Sequence, residues 1–206
     1  MRVTVVIPVG PGHENSSLRT ITTVENAWNK SQGPFTEIFI NAIPDHKGEL
    51  GRSRARNIGM ETDTDWYFLI DADDAMEPDA FSLCLINHDA TFGAIKVDGK
   101  ISKQNHPCNS FHSVVRHGAE GTLSMGFFLN SIVDLRFNES MDIGEDWYFY
   151  IRLVDKYDFI KIEEPLVNIS LDIPSAHGPR GYTGEVDWVK IGNKIIDDFT
   201  SPPVLV

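Results

Sequence analysis

The opening strand constrains this chain most. Val3 to Val9 reads Val-Thr-Val-Val-Ile-Pro-Val, a β-branched run without polar alternation. Such a strand expects apolar cover on both faces, which a sheet lying between helical layers supplies. A glycine-proline loop follows (Gly10, Pro11, Gly12), and Asn15 or Ser16 is placed to cap a helix with Leu18, Ile21, Val24 and Trp28 at helical spacing. Phe35 to Ala42 predicts a second strand, and Ile43 to Leu50 a polar loop. Gly51 to Met60 predicts a second helix with Ala55, Ile58 and Gly59 inward, and Trp66 to Ile70 a third buried strand. Strand, helix, strand, helix, strand is a doubly wound α/β pattern. Ligands in such sheets gather at the carboxyl ends of the strands.

The second half has a different texture. Phe92 to Val97 and Lys100 to Lys103 flank Asp98-Gly99, a two-residue hairpin signal, and Ser110 to Arg116 suits a further strand. Glu145 to Val154 has helical spacing in Trp147, Ile151 and Val154, while Phe159 to Ile162 and Leu166 to Leu171 read as late strands. Asp172 to Thr183 is rich in Gly, Pro and Ser and predicts a mobile loop, and Val186 to Phe199 a closing helix. The fold class expected is α/β, with a mostly parallel sheet and a mixed or antiparallel C-terminal part. One domain is expected over 1–206, with a nucleotide-binding half at 1–90, an acceptor half at 91–200 and a tail at 201–206.

Charge narrows the partners. A formal net charge of −12 over 206 residues opposes a general nucleic-acid surface, which needs a basic face. An anionic ligand would need a local cationic pocket or a bridging metal ion. Cys84 and Cys108 have no metal-ligand spacing and read as free thiols. The first apolar run is too short for a signal peptide or a membrane span, so a cytoplasmic location is expected.

Asp71-Ala72-Asp73-Asp74 carries the strongest chemical signal. Three carboxylates in four positions, straight after a buried strand, repel one another unless a cation neutralises them. Hard oxygen ligands suit Mg²⁺ or Mn²⁺ with positions left open for phosphate oxygens. An ordinary Asp-rich turn is the competing account. Glu145-Asp146 opens a predicted helix just after Gly144, where a carboxylate can serve as a general base, or merely favour the helix start.

At this point a resemblance becomes specific. Val5-Val6-Ile7-Pro8, Gly51-Arg-Ser-Arg-Ala-Arg-Asn57-Ile-Gly59, Leu69-Ile-Asp-Ala-Asp-Asp74 and Gly144-Glu-Asp-Trp147 together resemble family 2 glycosyltransferases of the GT-A fold, over residues 1 to 155. The resemblance implies transfer of a sugar from a nucleotide-diphosphate sugar, a UDP-sugar first, to an acceptor hydroxyl with inversion. It places Pro8 beside the nucleotide, and Asp45 loosely against the base, since Ile43-Pro44-Asp45 lacks the family's paired aspartates. Arg52 or Arg56 would reach the diphosphate, or else be solvated helix residues. Asp71 would contact ribose or metal, and Asp73 would be the main ligand of Mn²⁺ or Mg²⁺. Asp146 would be the base, supported by Glu145. His177 falls where many such enzymes supply a late metal ligand, and nearby Arg180 would clamp the diphosphate.

Two other functions compete. A sugar-phosphate nucleotidyltransferase also uses an α/β sheet and acidic metal ligands, but expects a basic residue in the first loop, which Gly10-Pro-Gly-His-Glu14 lacks. A catalytically inactive binding module is disfavoured by retention of both acidic pairs.

Overall fold

A computed structural model describes residues 1–102, 114, 125–141, 143–169, 191–195 and 197. His177, Arg180, Cys108, the loop at 172–183 and the tail at 201–206 lie outside the described residues, as does the expected Ser110–Arg116 strand apart from Val114, which is helical rather than extended. Two compact units divide the chain, Met1–Ile173 and Pro174–Val206. In the second, 191–195 and 197 are helical. Among the described residues no helix is long and apolar enough to cross a membrane.

The first unit runs β1 (Arg2–Val9), α1 (Glu14–Lys30), β2 (Glu37–Pro44), α2 (Arg52–Gly59), β3 (Trp66–Leu69), β4 (Ala75–Met76), β5 (Ala90–Phe92), β6 (Lys96–Val97) and β7 (Lys100–Ile101). After these come β8 (Phe127–Asn130), α3 (Glu145–Lys156), β9 (Phe159–Lys161) and β10 (Val167–Ile169). Six strands form the main sheet in the order β2-β1-β3-β8-β5-β9, and β4-β10-β6-β7 form a smaller one. The β2-β1-β3 portion is parallel, whereas β8 runs antiparallel to both neighbours. This is the mixed α/β architecture expected.

β1 is covered on both faces. Val3, Val5, Ile7 and Val9 join a core with Phe68, Phe81 and Phe128, against which Ile21 and Trp28 of α1 pack. On the opposite face a Cβ added to Gly59 of α2 would meet Val6 Cγ1 at 2.2 Å, so only glycine lets that helix approach so closely. Pro8 is tolerated because β3 stops pairing at Val6, beyond which a missing N–H breaks no ladder bond.

Three details differ from the sequence reading. Helix α1 starts earlier, with His13 at the N-cap and no side-chain cap; the Ser16 and Ser17 hydroxyls donate to the His13 and Glu14 carbonyls instead. Leu18 is 62% exposed, because the inward face runs through Thr20, Val24 and Ala27. The third difference is β8, a central strand absent from the sequence reading. Its Phe127 stacks on Phe92 at 4.5 Å, and Phe128 packs edge-on to Phe68 at 4.6 Å. The hairpin is as expected: Asp98 and Gly99 both have positive φ, 45° and 79°, as a type I′ turn requires.

Candidate active site

Three loops leave the carboxyl ends of parallel strands β1, β2 and β3, and the acidic turn is the third of them. Ile70 donates its N–H to Val6 O at 3.2 Å, and the chain then enters Asp71-Ala72-Asp73-Asp74, closed by Asp74 N–H to Asp71 O at 3.2 Å. Helix α1 holds this turn from one side. Thr20 Oγ1 lies 2.7 Å from the Asp74 carbonyl oxygen and 3.0 Å from that of Ala72. Thr23 Oγ1 accepts the Met76 N–H at 2.9 Å. With its backbone held this way the turn buries Asp74, while the Asp71 side chain stays 36% exposed and that of Asp73 13%.

His13 Nδ1 lies 3.9 Å from Asp73 Oδ2. The loop after β2 also meets the start of α1, through His46 Nδ1 and Glu14 Oε1 at 3.3 Å. Sequence reasoning missed His13, because a single histidine between a loop and a helix has no spacing signal. Asp45 braces the backbone of its own loop. Its carboxylate accepts the N–H groups of Leu50 at 3.1 Å and Gly51 at 2.9 Å, folding that loop back onto the start of α2.

Arg56 is where the two acidic motifs converge. Its side chain is only 3% exposed; Nη2 donates to Asp71 Oδ1 at 2.7 Å and Nη1 to Glu145 Oε1 at 3.0 Å. Burial works against its charge, but the carboxylates of Asp71 and Glu145 outweigh that and raise its pKa above the usual arginine value. Arg56 is therefore not a solvated helix residue, and both of its Nη atoms are engaged by carboxylates. Arg52 is more open, 28% exposed, with Nε 3.6 Å from Glu145 Oε1.

Glu145 and Asp146 open α3 behind Gly144, whose φ of 74° is left-handed and suits glycine. The Glu145 side chain is 3% exposed and faces the two arginines. Asp146 is partly buried, and its Oδ1 accepts the Trp147 N–H at 2.7 Å. Burial first, and then the neighbouring Glu145 charge, hold its carboxyl above the usual carboxylate range. A base raised in this way accepts a proton more readily than an ordinary aspartate.

The segment leading into α3 is clasped to α2 by Asn57. Its Nδ2 donates to Phe137 O at 3.0 Å and to Glu139 Oε1 at 2.9 Å, and its Oδ1 accepts the Phe137 N–H at 2.8 Å. The Phe137 ring stacks on Phe149 of α3 at 4.2 Å and lies 5.2 Å from the Arg56 guanidinium carbon. No functional role attaches to Asn57 from sequence alone. Behind this clasp is an open depression of about 470 Å³ lined by Arg136, Glu139, Tyr148 and Arg152 among others. It includes none of Asp71, Asp73 or Asp146, so the acidic crevice is a separate feature.

Among the described residues no group of three or more His, Cys, Asp or Glu side chains gathers as a metal cage. Asp71 and Asp73 offer two hard carboxylates on a partly open turn. That fits Mg²⁺ or Mn²⁺, which bind through one or two carboxylates together with substrate phosphates and water.

No protein-family model matches the chain, and no curated protein does. Solved structures do match. The crystal structure of S. aureus TarS 1-349 in complex with UDP-GlcNAc aligns at a TM-score of 0.69 with 14% identity, covering 99% of this chain and 68% of that one. S. aureus TarS 1-349 and its complex with UDP each align at 0.61 with 14% identity, covering 82% and 83% of this chain. The chain spans about 60% of the length of TarS 1-349 in the first of these alignments. The shared architecture is the mixed α/β fold of TarS. At this identity the likeness is one of fold.

Proposed function

We propose that this chain transfers a sugar from a nucleotide-diphosphate sugar to an acceptor hydroxyl, with inversion at the anomeric carbon. One observation carries the proposal: Arg56 draws Asp71 of the turn after β3 and Glu145 at the start of α3 onto a single guanidinium. On this reading the turn after β3 holds the donor and the start of α3 carries the base. The TarS complexes with UDP and UDP-GlcNAc support a UDP-sugar as the first donor to test.

In this proposal Asp73 and Asp71 hold the metal, with His177 as a late ligand. Pro8 and Asp45 border the nucleotide, and Arg52 and Arg180 face the diphosphate. A bound Mn²⁺ or Mg²⁺ would supply charge neutralisation at the diphosphate. Asp146 takes the proton from the acceptor hydroxyl. The freed oxygen bonds to the anomeric carbon from the face opposite the diphosphate, and the nucleoside diphosphate departs with the electron pair of the broken bond. The neighbouring Glu145 charge disfavours a second negative charge on Asp146 and so strengthens Asp146 as a base.

The test is release of nucleoside diphosphate from a panel of sugar nucleotides, UDP-GlcNAc first, with Mn²⁺ and with chelator. Metal-dependent release that Asp146→Asn abolishes is the expected result. Absence of both release and nucleotide binding across the panel would leave only a shared fold.

A further inference from the structure

We infer that Arg56 is a positioning residue for this reaction, fixing the separation between the donor turn and the base-bearing helix. The inference rests on the function proposed above and assigns within it a group that acts through Asp71 and Glu145. Three observations carry it. Arg56 is almost fully buried, and it bonds at once to two carboxylates far apart in sequence, Asp71 lying 15 residues on and Glu145 89 residues on. Its Nε has no hydrogen-bond partner among the described residues, so the side chain is held by those two bonds and by the Phe137 ring at 5.2 Å. The adjacent Asn57 ties the same α2 turn to the segment that leads into α3.

A guanidinium is a rigid planar fork, so bonds from both Nη atoms fix two directions at once. Asp71 and Glu145 are therefore placed relative to one another, and Asp146 follows Glu145 directly. A lysine carries one point charge on a flexible stem and cannot reproduce the fork. Were the contact only a fastening for the fold, an apolar replacement of both partners would serve equally well.

The decisive variant is R56K, assayed for UDP release from the sugar nucleotide the parent cleaves, for UDP affinity by calorimetry, and for melting temperature. Misplacement of reacting groups by about an ångström costs roughly 10²-fold. The expected result is a fall in kcat of about that size, with donor KM and UDP affinity shifted several-fold at most. If R56K does not fold, R56Q keeps hydrogen-bonding reach without the charged fork and leaves Glu145 unchanged, and its kcat should be as low while its melting stays cooperative. Parental kcat in the folded fraction of either variant overturns the role of Arg56 and leaves the proposed function standing. A parent that releases no UDP from any sugar nucleotide removes the reaction and this role together.

Discussion

Arg56 Nη1 stands 3.0 Å from Glu145 Oε1, and both side chains are 3% exposed. A pair buried this deeply is costly to break from one side, because Arg56 then keeps only the partly exposed Asp71 as its partner. Glu145→Ala should therefore destabilise the fold by about 3–5 kcal/mol, whereas replacing both residues by apolar side chains of similar volume should cost far less. Urea denaturation of the single and double variants measures the difference. Costs that simply add would show that the two residues do not act as a pair.

Gly59 offers a test of the packing that brings Arg56 to the site. Its missing Cβ leaves room for Val6, which is fully buried in β1. Gly59→Ala should push α2 away from the sheet and cost about 1–3 kcal/mol through overpacking. A melting temperature at or above that of the parent would mean that the helix shifts without penalty.

Asp73 is expected to govern donor binding rather than folding. The backbone of the turn that carries it is held by Thr20 and Thr23 of α1 and by the Asp74 N–H to Asp71 O bond. Asp73→Ala should abolish Mn²⁺-dependent UDP binding in calorimetry while the melting temperature stays close to that of the parent. His177→Ala should weaken the same binding less, since water can replace one ligand of a metal that other ligands still hold. Unchanged metal-dependent binding in Asp73→Ala would take the residue out of the site.

The parallel half is legible in the sequence because its signals are local and strong. A continuous β-branched run, an acidic tetrad after a buried strand and an Asp-Gly hairpin each constrain the backbone within a few residues. Strand β8 is harder to see, since Phe127-Phe-Leu-Asn130 is a short apolar run without a turn signal and its meaning comes from the aromatic partners it meets. The inward face of α1 is misread for a related reason. Thr20 looks like surface by hydropathy, yet it is buried because its hydroxyl serves the carbonyls of the acidic turn. Arg56 shows the same limit most clearly. Charge suggests solvent or a phosphate partner, while its actual carboxylate partners come together only through the tertiary fold.

Asp146 ties stability and catalysis to pH in opposite directions. Burial and the adjacent Glu145 charge raise its pKa in the folded protein, so the folded state holds this proton more tightly than the unfolded chain does. Below the unfolded pKa both states are protonated and no penalty exists. As pH rises from the unfolded to the folded pKa the penalty accumulates, and above that window it is fully present. Asp146→Asn carries no charge and its side-chain oxygen can still accept the Trp147 N–H, so it should melt higher than the parent above the window and no higher below it. Turnover should respond in the reverse sense: a base must be ionised, so the parental rate should rise with pH through a pKa above the usual carboxylate range. The asparagine variant should lose roughly 10²–10⁴-fold in rate with donor affinity little changed. If Asp146 served only the helix start, its replacement would instead remove about 0.3–1 kcal/mol of stability and leave turnover intact. Melting curves and pH–rate profiles of the two proteins separate these outcomes, and a variant that melts lower yet turns over normally would end the assignment of Asp146 as the base.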